Sequence, residues 1–313
     1  MSEAKKLQLV GTFIPKEVGA DKIIFPDGLN TTYEIGKVKL ENGMGTLVKP
    51  GGTLEDFFNA FVDEKNPTTT QPSVTLTFPE AKAYEVGTYV SPTYTASLNP
   101  GKYTYGPATG VVPTFWMVKN TAGEEFVMMH QGAGSVNSPM VADGSFKQFQ
   151  VTDDIEYKIT ATAQHTEGTT PKTNIGNEYS SGKIVAGSKS ATSGAVTGYR
   201  NTFYGTTTDK NDITSDTIRD LTGKSNKALA AGNSFTVTIP VGAMRVVIAY
   251  PATLRDITSV KDVNGMNAEI ASSFTKQLIN VEGDNSYTAI SYKVYTLDFA
   301  NANDVANRFT VTI

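Results

Sequence analysis

The residues able to do chemistry are few and scattered. The chain has two histidines, His130 and His165, and no cysteine. A thiolate zinc site and a disulfide are therefore both excluded. Neither His-x-x-x-His nor His-Glu-x-x-His occurs, so the familiar zinc pairings are missing too. No Gly-x-Ser-x-Gly elbow is present, and neither glycine-rich phosphate-binding pattern appears. The histidines fall on expected strand or loop positions, where an exposed strand face is the plain explanation. Glycosidic cleavage needs two placed acids. The adjacent pairs Glu124-Glu125 and Asp153-Asp154 are poor candidates, because neighbours on a strand point to opposite faces. The oxygen-rich run from Asp209 to Asp216 lacks the spacing, glycine and terminal Glu of an EF-hand, and reads as a solvated loop. Tyr89, Tyr94, Tyr103 and Tyr105 crowd a short region. There they either cover sheet edges or present rings to a sugar or a partner. No catalytic, cofactor-binding or metal-binding residue is nominated.

Stepping out from these groups, the 313-residue length suits two or three units. The apolar fraction of 39% supports packed cores with one sheet face left to water. A net charge of -4 lacks the basic excess of a general nucleic-acid binder. No secretory apolar stretch is visible at residues 1–16, and no apolar run reaches the roughly 18 residues of a membrane helix. The expectation is a chain made in a reducing cytoplasm, with no nucleic acid and no membrane insertion.

The elements read as β-structure. Thr, Val, Tyr and Phe, all suited to pleated surfaces, recur in alternation. Residues 1–50 form a first β unit, with a hairpin expected at 38–48 around Asn42-Gly43. Residues 51–72 hold a helix and a linker. After Gly51-Gly52, Thr53 can cap, Glu55 and Asp56 suit the positive end, and Leu54, Phe57, Phe58, Phe61 and Val62 form an apolar stripe over 53–64. That stripe closes the chain's own sheets or docks on a neighbouring subunit. Leu54, Phe57, Phe58 and Phe61 are the candidate interface.

Residues 73–191 show strands at 73–78, 94–98, 115–118, 126–129, 146–151 and 157–163. Turns are expected at Asn99-Pro100-Gly101, Ala122-Gly123, Asp143-Gly144 and Asp153-Asp154. This spacing suggests an immunoglobulin-like sandwich with Trp116, the one tryptophan, between its sheets. A Ser/Thr/Gly-rich run at 182–194 punctuates the chain. Residues 192–313 form a second sandwich-like unit. In it, 244–250 reads as a strand buried on both faces, 215–221 as a short capped helix or turn, and 309–313 as a core-patterned final strand. The motif Tyr-Glu-aliphatic-Gly occurs at 33–36 and again at 84–87.

At the join stands Gly198-Tyr199-Arg200-Asn201-Thr202-Phe203-Tyr204-Gly205, three aromatics and one Arg between glycines. Tyr199, Arg200, Phe203 and Tyr204 are the candidate inter-domain seam. The aromatics are expected to be buried, and Arg200 to find a carboxylate or carbonyl. The fold class is all-β: tandem sandwich units with one short helix near 53–64.

The stretches at 73–78 and 84–87, the octet at 198–205, and Val241-Gly242-Ala243-Met244-Arg245-Val246-Val247-Ile248-Ala249-Tyr250-Pro251 resemble uncharacterised virion structural proteins of tailed bacteriophages and gut prophages. The resemblance runs from 72 to 313. It implies a non-enzymatic β-sandwich component of a virion's tail, baseplate or fibre, or one attached to its capsid. Its partners would be other virion proteins and further copies of itself, with a host-surface glycan as an additional partner. Residues 1–50 would serve for attachment. The resemblance carries no functional residues and no cofactor. Two other readings compete: a bacterial surface adhesin of sandwich domains, and a carbohydrate-binding or depolymerising particle protein.

Overall fold

The computed structural model describes residues 9–10, 18–19, 22–25, 28–31, 45–60, 64–129, 140–225 and 234–313. Strand makes up 47% of the structure and helix 8%. The chain is all-β, far from the ordinary one-third helical share.

Between Ser73 and Tyr199 two sheets face each other. One has the strand order Val141–Ser145, Thr93–Asn99, Ser73–Thr77, and the other Glu125–Met129, Pro113–Asn120, Ile159–His165, Gly187–Thr192. Alternation along each strand sends one set of side chains inward. Tyr94, Ala96, Leu98 and Ala142 from the first sheet meet Trp116, Val118, Ile159, Ala161 and Ala163 from the second in one buried cluster. Trp116 is fully buried, and Ala163 is its cross-strand partner. Small residues beside the indole let the sheets close over it. Burial of large side chains of this kind contributes about 1.5–3 kcal/mol each.

From Thr202 onward a five-stranded sheet runs Gly223–Ser225, Thr202–Thr207, Arg245–Pro251, Ile290–Asp298, Thr275–Val281. A four-stranded sheet lies against it, in the order Ser234–Ile239, Asn307–Thr312, Ser259–Asp262, Ala268–Glu269. Val246, Ile248 and Tyr250 point between the sheets, toward Val237, Ile239, Val260, Phe309 and Val311. Val247 and Ala249 point the other way, into a cluster with Phe203, Tyr292, Val294, Ile218 and Leu221. Arg245–Pro251 is thus a strand buried on both faces, as its unbroken apolar run suggests. Asn307–Thr312 pairs on both sides.

In the first fifty residues Leu9–Val10, Leu29–Thr31 and Gly45–Val48 form one small sheet, and Val18–Gly19, Lys22–Phe25 and Gly52–Thr53 another. Most of the hairpin expected at 38–48 lies outside the described residues, and Gly45–Val48 pairs with Leu29–Thr31. The helix is Leu54–Ala60, shorter than 53–64, with Glu64 already outside it. Thr53 caps it. The Asp56 amide donates to Thr53 Oγ1 at 3.3 Å, and Asp56 Oδ2 accepts from the Thr53 amide at 2.7 Å, a reciprocal cap. A second α-helix, Ser215–Arg219, is capped by Thr214 and anchored by buried Ile218, so the chain has more than the one expected helix.

Several turn and loop expectations need correction. Asp143-Gly144 lies within the strand Val141–Ser145, where Gly144 leaves room for the Tyr94 ring opposite; a Cβ there would stand 2.7 Å from the phenol oxygen. The linker at 68–72 is tied down, with Thr69–Thr70 pairing Lys102–Tyr103. In the Ser/Thr/Gly-rich run, Gly187–Thr192 is an edge strand, held by hydroxyl pairs such as Thr162 with Ser190 at 2.8 Å. The strand at 146–151 shrinks to Phe149–Gln150.

Candidate functional site: an arginine-bridged seam

The octet passes from one sandwich to the other in two residues. Val196–Tyr199 pairs antiparallel with Glu156–Tyr157 and parallel with Ala83–Glu85. Thr202–Thr207 already belongs to the five-stranded sheet. So short a crossing forces the two units into contact, and the polar groups caught between them must be paired.

Arg200 does the first part of that pairing. Its side chain is only 7% exposed. Nε and Nη2 each donate to the Asp153 carboxylate at 2.7 Å, a bidentate fork. Nη2 also donates to the carbonyl of Thr288 at 2.9 Å, on the far side of the seam. The guanidinium stands 5.3 Å from the Tyr287 ring centre. The hydrogen bond from Arg200 holds the Asp153 carboxyl below the usual carboxylate range. Nη1 is buried without a hydrogen-bond partner. Asp153, one of the adjacent acids weighed for catalysis, is thus the anchor of an arginine fork.

A second arginine works in the opposite direction. Arg219 closes the helix Ser215–Arg219, and its Nη1 donates to Glu85 Oε1 at 2.7 Å, across the seam, and to the carbonyl of Glu282 at 2.8 Å. Nη2 lies 3.7 Å from Asp284 Oδ1. The guanidinium covers the Phe203 ring at 5.8 Å. Both partners are mostly buried, at 19% and 17% side-chain exposure, so water screens this pair far less than a surface bridge.

Between the arginines the backbones touch. The Asp284 amide donates to the Val86 carbonyl at 2.7 Å, Thr88 Oγ1 donates to Asp284 Oδ2 at 3.2 Å, and Asn285 Nδ2 donates to the Gly87 carbonyl at 3.1 Å. Gly87 has φ +94°, and a Cβ there would stand 1.8 Å from the Asp284 carbonyl oxygen. Only glycine fits both conditions. Tyr292, fully within the second unit, donates from its hydroxyl to the carbonyl of Asn201 at 3.0 Å; burial pushes that phenol well up. Phe203 is fully buried, whereas Tyr199 and Tyr204 are half-buried. Tyr204 leans on Phe235 at 4.8 Å between ring centres, inside the C-terminal sandwich rather than at the crossing.

Protein-family models, curated proteins and solved structures yield no match to this chain.

The other sequence candidates fall elsewhere. Leu54 and Phe57 are half-buried and Phe58 is 59% exposed; Phe61 lies outside the described residues. His130 lies outside them too, while His165 is buried rather than on an open strand face. Its Nδ1 donates to the carbonyl of Thr166 at 2.8 Å, and it sits against Gly187, whose missing side chain makes the space. Among the tyrosines, Tyr94 and Tyr103 are core residues. The Tyr103 hydroxyl donates to the Thr169 carbonyl and accepts from the Ile184 amide. Tyr89 alone of the four is open to solvent, at 54%. Among the described residues no three His, Asp or Glu side chains gather in a group able to hold a metal ion.

Sequence reasoning missed Arg219, Glu85, Gly87 and Asp284. One signal was present. The Tyr84-Glu85-Val86-Gly87 motif supplies both the acid for Arg219 and the glycine that admits the Asp284 carbonyl.

Proposed function

We propose that this chain is a non-enzymatic structural component of a tailed-phage virion, acting by protein–protein assembly with other virion proteins and with copies of itself. The observation that carries the reading is the seam. Two sandwiches are locked by paired arginines and direct backbone hydrogen bonds instead of being strung on a flexible linker. Such a lock suits a part whose value is to hold one unit at a set position relative to the other. A tethered binding module has no need of it. The exposed Phe58 beside Phe57 on the Leu54–Ala60 helix supports an assembly contact, since aromatic side chains dominate interface energetics. The sequence resemblance places the chain in the virion, made in the host's cytoplasm.

The test is particle composition. Phage particles from the strain that encodes the chain are banded by density and probed with an antibody raised against it. Co-banding at fixed stoichiometry is the expected result. A chain that stays in the particle-free supernatant contradicts the proposal.

A further inference from the structure

The outer face of the five-stranded sheet is only partly roofed. The helix Ser215–Arg219 seals one end through Ile218. Farther along, between the loop at 209–213 and the edge strand Thr275–Val281, lies an open cleft of about 390 Å³. That volume falls in the range of small-molecule sites, roughly 300–1,000 Å³.

Alternation along the edge strand turns Thr275, Gln277 and Ile279 to the same side, and all three line the cleft. Thr296, the cross-strand partner of Thr275, extends that floor. The loop forms the facing wall and is held in place by Arg245. That guanidinium grips Asp298 through Nε at 2.5 Å and Nη2 at 3.1 Å, and Nη1 donates to the Asn211 carbonyl at 2.6 Å. The Asn211 amide in turn donates to Asp209 Oδ1 at 3.0 Å. The wall is therefore set before any ligand arrives, which reduces the ordering cost of binding.

The lining chemistry narrows the ligand. An anion needs uncompensated positive charge, and Arg245 is already matched by Asp298. A divalent cation needs several oxygen ligands, with carboxylates chief among them, and Asp212 is the cleft's one carboxylate. What the cleft offers is a mixture: side-chain amides, threonine hydroxyls, one exposed carboxylate, and the apolar flanks of Ile213 and Ile279. Donors and acceptors interleaved with apolar surface match a ring bearing hydroxyls on one edge and C–H groups on the other. We propose that this cleft binds a neutral saccharide unit, with Asp212 and Gln277 as its principal hydrogen-bonding groups. The inference stands on the cleft alone; a chain that co-bands with particles but ignores sugars sinks only this proposal.

The experiment is saturation-transfer NMR on the full chain. Glucose, galactose, N-acetylglucosamine and rhamnose are the probes, with inorganic phosphate and calcium chloride as ion controls. Gln277→Ala and Asp212→Asn both alter exposed residues, and unchanged melting temperatures verify their folding. The expected result is a saturable response to at least one sugar, weakened about tenfold in each variant, the loss of roughly one good hydrogen bond. Three results overturn the proposal: no response to any of the four sugars, a response both variants leave intact, or competition by phosphate or calcium.

Discussion

At the residue scale the seam rests on side chains that tolerate no substitute. Gly87 combines a positive φ with a carbonyl oxygen pressed against its α-carbon. Gly87→Ala is expected to destabilise the chain by about 1–3 kcal/mol, read as a lowered denaturant midpoint. Phe203 is fully buried beneath Arg219 and beside Tyr292. Phe203→Ala is expected to cost roughly 3–5 kcal/mol, and an unmoved midpoint would show the octet to be a passive connector. Asp153 adds a pH dependence. Its pKa is lowered in the folded chain by the Arg200 hydrogen bond. The stabilisation is therefore complete above the unfolded value of about 3.9 and is lost as pH falls through the lowered folded value. Melting temperatures of the native chain and of Asp153→Asn should converge below about pH 4. A gap that stays constant into acid would mean that the fork contributes nothing through charge.

At the element scale the two short helices have different fates. Ser215–Arg219 is fastened to the sheet by Ile218 and closes on the arginine that crosses the seam. Leu54–Ala60 leaves Phe58 largely in solvent. Phe58→Asp is therefore expected to leave circular dichroism unchanged while abolishing self-association or particle attachment. Loss of the folded signal would assign Phe58 to the protomer's own core.

The elements also show how far the sequence could be read. Period-two alternation found the strands around Trp116, Ile159 and Val237, because one buried face imposes that pattern. The unbroken run at 244–250 correctly signalled burial on both faces. Gly144 misled, since a glycine that makes room for a tyrosine across a strand looks the same in sequence as a glycine in a turn. The Ser/Thr strand Gly187–Thr192 was hidden for a related reason: an edge held by hydroxyl pairs carries no apolar signal. At the candidate site, Arg200 and Phe203 stood out by type. Glu85, Arg219 and Asp284 did not, because their partners lie 134 and 196 residues away along the chain and only the folded topology joins them.

At the scale of the whole molecule the claim is that two sandwiches behave as one body. The coupling comes from desolvated charge pairs and from backbone hydrogen bonds that no longer reach water, both of which break if the units separate. Breaking a charge-assisted hydrogen bond of this kind costs about 1.5–3 kcal/mol. Removing both arginines should therefore uncouple the units without unfolding either core, since Arg200 and Arg219 belong to neither apolar interior.

Differential scanning calorimetry of the native chain beside the double variant Arg200→Ala, Arg219→Ala measures this most directly. The account predicts that the sandwich units of the native chain unfold in one cooperative transition, with matching calorimetric and van't Hoff enthalpies, and that the variant splits into two transitions. Two independent transitions already present in the native chain, or a variant that keeps the native chain's single transition at the same temperature, would contradict it.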